Sequence, residues 1–189
     1  MIVWTWRLAL AGCLLVALAI IGWLGQRSRR APGEPALTAA AVAAFAGLAV
    51  FAWVVARQVA FPLQLECMEL TVLQHARRFV AGLPVYPAPA ADFVPLAYNP
   101  GLYVFLAPLF KVFSPSLALL RLPSVAATLA LLLIFYAVLR RATGSWRWAV
   151  LGAFVPVLAY RSLDCYLTKG HGDAPMILCA LAGALLLPK

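Results

Sequence analysis

The chain has 189 residues, of which 65% are hydrophobic and only 11% charged, whereas soluble domains run at roughly half apolar and a quarter charged. Its formal net charge is +9, but the basic residues cluster at the ends of apolar runs, where anionic headgroups and topology account for them. Soluble enzymes and nucleic-acid-binding modules are excluded on this basis, and an all-α, polytopic helical membrane protein is predicted.

Taken in order, Trp4 to Leu24 is a first apolar run with Trp4, Trp6 and Trp23 at its edges, followed by the Arg27, Arg29, Arg30 patch. No small-x-small cleavage site follows, so it reads as a short transmembrane helix rather than a leader. Residues 36–56 form an uncharged stretch long enough to cross a bilayer. Residues 57–116 then form a large loop with two interfacial helices.

The first of these, Gln64 to Gly82, is amphipathic at helical spacing. Leu65, Met68, Val72, Leu73, Ala76, Phe79 and Val80 fall on one arc. Glu66, Thr71, Gln74, His75, Arg77 and Arg78 fall on the other, with Cys67 and Leu70 as intruders. Glu69 is the one charge on the apolar arc. An ionisable group there is costly without a partner or a task.

A connector with five prolines, Leu83 to Pro100, cannot be regular helix. Gly101 to Phe113 is too short to span and is expected as a half-embedded helix, with Lys111 reaching toward headgroups. Further spans are expected at 117–139, where Pro123 is tolerated in the first turn of the apolar run Leu122 to Leu139, at 147–160, and at 174–188. The 14 or so residues of the last are barely a crossing, and the chain is expected to be the front portion of a longer protein.

The dense arginine patches at 27–30 and 140–147 sit in the shortest loops and place those loops in the cytoplasm. Glu66, Glu69, Asp92, Asp164 and Asp173 then share the extracytoplasmic face, leaving only Glu34 inside. Cys67 and Cys165 would lie outside too, where a disulfide can persist; separate free thiols are the default. A multi-pass protein of the plasma (inner) membrane with its active face outside is the expected localisation.

This order of residues resembles the membrane-embedded GT-C glycosyltransferases that use lipid-phosphate sugars, among them protein O-mannosyltransferases and aminoarabinose transferases. The likeness covers residues 36–189. It is carried by Glu66-x-x-Glu69, His75-Ala76, Gly82-Leu-Pro-Val-Tyr86, Tyr98-Asn-Pro-Gly-Leu-Tyr103, Phe110 to Ser116, Leu120-Arg-Leu-Pro-Ser124 and Arg140-Arg141. Glu66 stands where the family usually has Asp, Leu70 where a glycine often follows the second acid, and Asn99-Pro-Gly where a Pro-Pro pair is common.

The resemblance implies a catalytic acid in the first large external loop and a second functional acid in the next, which Asp173 would match. It leaves Glu66 and Glu69 both open as the base, and the helical-face argument favours Glu69. Sugar transfer from polyprenyl phosphate needs a carboxylate to take the acceptor proton and positive charge to meet the leaving phosphate. Glu69 is therefore expected as general base and Asp173 as the group orienting acceptor or a divalent metal. Arg161, Lys169 and His171 are expected as phosphate contacts, and Tyr98 as a further substrate contact.

No cofactor follows beyond the lipid-linked sugar donor, and no His/Cys cluster has metal spacing. The other implied partners are membrane lipids and a glycan, lipid or protein acceptor. Each residue also has a plain structural reading: Glu69 paired with a cation in the bundle, Glu66 solvated, Asp173 an N-cap before Ala174-Pro175. A carrier of lipid-linked intermediates and a non-catalytic membrane fragment are the competing classes.

Overall fold

A computed structural model describes residues 33–90, 93–95, 100–162 and 165–186. Among these the chain is all-helical: α1 is Gly33–Val59, α2 Glu69–Val80, α3 Gly101–Val112, α4 Leu117–Thr143, α5 Trp146–Ala159 and α6 Asp173–Leu186. The expected first span, 4–24, lies outside the described residues, as do Asp92, Tyr98 and Asp164.

Two helices, α1 and α4, are long and apolar enough to cross a membrane. Each has 27 residues, about 40 Å at 1.5 Å per residue. The expected spans at 147–160 and 174–188 appear as helices of 14 residues each, about 21 Å against the roughly 30 Å of a hydrocarbon core. Helices therefore stand at both expected positions, each short for a crossing. Both long helices turn large apolar side chains outward, including Phe45 and Trp53 on α1 and Leu129 and Leu133 on α4.

Two compact units divide the described chain. In the first, residues 33–52 and 132–159, close approach is set by glycine: a Cβ on Gly47 would meet the Phe154 ring, and one on Gly152 would meet Leu139. Arg147 and Glu34 form an exposed ion pair there.

The second unit, residues 53–131 and 160–186, is built on the amphipathic pattern. Val72, Leu73 and Ala76 of α2 pack on Tyr103, Leu106 and Phe110 of α3 and on Leu120 of α4. Leu70, the apolar intruder, is exposed. Serine at 116 caps α4, its Oγ accepting the Leu119 N–H at 3.2 Å.

The helix expected over 64–82 begins at Glu69 instead. The carboxylates of Glu66 and Glu69 take the N–H groups of Met68 and Leu65, at 2.8 and 2.7 Å. Short acidic side chains thus compete with the helical ladder and hold 65–68 as a turn. At the other end Gly82 adopts φ 71°, the left-handed conformation that terminates helices. Pro123 lies seven residues into α4, beyond the first turn where it was expected, so the Leu119 carbonyl loses its usual intrahelical donor.

Candidate functional site

The site grows from one buried cation. Arg121, one turn into α4, is fully buried, and all five of its N–H donors are used. Nε donates to Glu69 Oε1 at 2.9 Å and Nη2 to Glu69 Oε2 at 2.7 Å. Nη1 donates to the Gln58 and Phe61 carbonyls and Nη2 also to that of Leu63, at 2.8, 2.7 and 2.7 Å. Arginine is the side chain whose rigid fork suits such a cluster.

Glu69, also fully buried, is equally complete. Besides Arg121 it accepts from Leu65 N at 2.7 Å and from Gly170 N at 3.1 Å. Its burial raises the carboxyl pKa, but the Arg121 hydrogen bond, the two backbone donors and the Arg121 charge outweigh this and hold it below its ordinary value of 4.5. With two donors on each oxygen, the carboxylate has no lone pair aimed at an incoming hydroxyl. Of the two readings of Glu69, general base and partner of a bundle cation, the geometry shows the pairing: it is the anionic half of a closed ion pair with Arg121. The cost of placing a charge on the apolar arc is met by a partner.

The segment 165–171 is docked on the same face of α4. Ser124 Oγ donates to the His171 carbonyl at 2.7 Å, and Thr128 Oγ1 donates to that of Leu167. A Cβ on Gly170 would stand 2.5 Å from both Cγ and Cδ2 of Leu120, so only glycine allows this approach. Beside it Thr168 and Tyr160 both donate to Gln58 Oε1, at 3.0 and 2.8 Å. Cys165 holds φ 62° without being glycine.

This docking brings His171 to Glu66, with Nε2 2.8 Å from Oε2. The His171 side chain is fully buried and that of Glu66 is 13% exposed, so Glu66 is the member of the pair that reaches solvent. Its Oε1 accepts the Cys67 thiol at 2.8 Å. Burial raises the Glu66 pKa, but the Cys67 thiol, the Met68 N–H and His171 outweigh it, and the net is a lowering. Cys67 is fully exposed and its thiol is pushed up, chiefly by the hydrogen bond to Glu66.

Of the remaining expected site residues, Lys169 is half-buried with Nζ 5.1 Å above the Tyr166 ring. Arg161 is exposed and donates to Cys165 Sγ at 3.7 Å. Asp173 opens α6 and is half-buried, where its charge suits the helix N-terminus. His171, expected to face a phosphate, is instead turned inward onto Glu66.

His75, placed on the polar arc, is buried as well. It stacks with Tyr103 at 5.5 Å and packs on Phe93 at 4.9 Å, because the proline-rich connector folds back over that side of α2. Arg77 and Arg78, on the polar arc, donate to the Pro115 and Pro84 carbonyls at 2.7 and 3.2 Å. Cys67, Cys165 and Cys179 are free thiols. Among the described residues no cluster of three or more His, Cys, Asp or Glu could hold a metal ion.

Sequence reasoning missed Arg121, Ser124 and Thr128 as a polar ladder. The signal was present: positions i, i+3 and i+7 of an otherwise apolar helix lie on one face. No family model matches the chain, and neither the curated proteins nor the solved structures contain a match.

Proposed function

We propose that this chain is a membrane glycosyltransferase that moves a sugar from a polyprenyl-phosphate donor to an acceptor hydroxyl on the extracytoplasmic face, with Glu66 as general base. The observation that carries the reading is the Glu66–His171 contact. The two loops expected to share one face meet through it, and it leaves one carboxylate partly open.

In this reaction the acceptor oxygen attacks the anomeric carbon while the bond from that carbon to the phosphate oxygen breaks. The leaving polyprenyl phosphate keeps the bonding electrons, Glu66 takes the hydroxyl proton, and a single displacement inverts the anomeric configuration. Lys169 offers positive charge to the leaving phosphate. Asp173 orients the acceptor. Glu69 and Arg121 form the frame behind them.

The membrane setting is supported by α1 and α4 and by their outward apolar side chains. The Glu34–Arg147 ion pair supports placing the turn after Thr143 on the same side as the start of α1. These readings make the chain multi-pass, with residues 57–116 and 161–173 outside.

The test is transfer of radiolabel from polyprenyl-phosphate sugars by membranes carrying the full chain. Glu66→Gln should lower transfer by about 10²-fold or more, the scale of general-base catalysis, with the protein still inserted. Undiminished transfer by that variant would remove Glu66 from the role. Movement of the lipid-linked label across the bilayer without transfer would identify a carrier instead.

A further inference from the structure

We propose that His171 is a positioning residue for Glu66: a buried donor, fixed from α4, that fills the inner carboxylate oxygen and leaves the outer one to meet the acceptor. The proposal deepens the transferase reading and rests on it for the identity of the reaction.

The donor assignment follows from the pair itself. An ionised carboxylate only accepts, so the 2.8 Å contact from Nε2 to Glu66 Oε2 requires the proton on Nε2. That same oxygen accepts the Met68 N–H at 2.8 Å, so the inner side of Glu66 is filled. Oε1 accepts the thiol of Cys67, an exposed residue, and the Glu66 side chain is 13% exposed. His171 is itself fully buried and does not reach an external substrate.

His171 is also held on several sides. Its carbonyl accepts from Ser124, its N–H donates to the Lys169 carbonyl at 2.7 Å, and its ring meets Tyr166 edge-on at 5.1 Å. One residue earlier, Gly170 is locked by Leu120 and by Glu69. Leu120 and Ser124 of α4 and Glu69 of α2 thus fix the backbone from which the imidazole projects. A ring needed only to fill space would not require its Nε2 aimed at a carboxylate.

Among the described residues, the titratable groups in contact with the Glu66 carboxylate are Cys67 on its own turn and His171 from the docked loop. Cys67 supplies a readout independent of turnover. Its thiol is exposed and hydrogen-bonded to Glu66, so its alkylation rate against pH carries a break where Glu66 titrates.

The experiment compares His171→Gln with His171→Asn in the full-length chain in membranes. A glutamine amide nitrogen reaches about as far as Nε2, and an asparagine nitrogen only as far as Nδ1. His171→Gln should recover most of the wild-type transfer rate. His171→Asn should lose about 10-fold or more in kcat with little change in KM, and its kcat/KM should fail at higher pH on the acid side. Modification of Cys67 by a charged methanethiosulfonate, followed by peptide mass, should show the break unmoved in His171→Gln and moved to higher pH in His171→Asn.

Equal behaviour of the two variants in both assays overturns the positioning role. If wild-type membranes transfer no label while the Cys67 break still moves in His171→Asn alone, the positioning role stands and the reaction assignment falls.

Discussion

Glu66 and Glu69 stand three residues apart on the same strip of sequence and are treated in opposite ways. Glu69 is enclosed with Arg121, four donors on its two oxygens. Removing one member of such a pair strands a buried charge and costs about 3–5 kcal/mol, while an apolar replacement of both is far milder. Glu69→Gln and Arg121→Met should each lower thermal stability in detergent sharply, and the double change to Leu and Met should restore part of it. Because the folded pKa of Glu69 lies below 4.5, its contribution is fully present above that value. It is lost as pH falls through the folded value. The wild-type melting temperature should therefore decline on acidification below about pH 4.5, and Glu69→Gln should flatten that decline.

Helix positions followed from periodicity alone, because burial of an apolar stripe is a local property of spacing. The buried side of α2 at Val72, Leu73 and Ala76 and the exposed Leu70 are the arcs read from the chain. The start of α2 was misread because two acidic side chains capture backbone donors there, which periodicity does not register. The partner of Glu69 was not legible for a related reason: a charge on an apolar arc signals either a task or a counter-ion, and the counter-ion lies 52 residues away. The polar ladder of α4 was legible as spacing, but its cargo, the 165–171 segment, was not. That docking depends on a single absent Cβ. Gly170→Ala should drive against Leu120 and cost about 1–3 kcal/mol, read as a lower melting temperature together with faster proteolysis in the 161–173 segment.

At the scale of the whole chain, composition points to helices, and among the described residues α1 and α4 are long and apolar enough to cross a membrane. Topology is testable through the exposed thiol at 67. In intact cells a membrane-impermeant maleimide should label Cys67 and should not label a thiol introduced by Arg141→Cys; the reverse pattern would invert the orientation. The five-donor arginine also has a bearing on biogenesis. A ribosome emits the carbonyls of Gln58, Phe61 and Leu63 and the acid at 69 well before it emits residue 121, and the 170 amide comes later still. Until then the nascent segment carries a stranded anion and open acceptors, so its first half is obliged to wait, hydrated or chaperoned, for a side chain still being made.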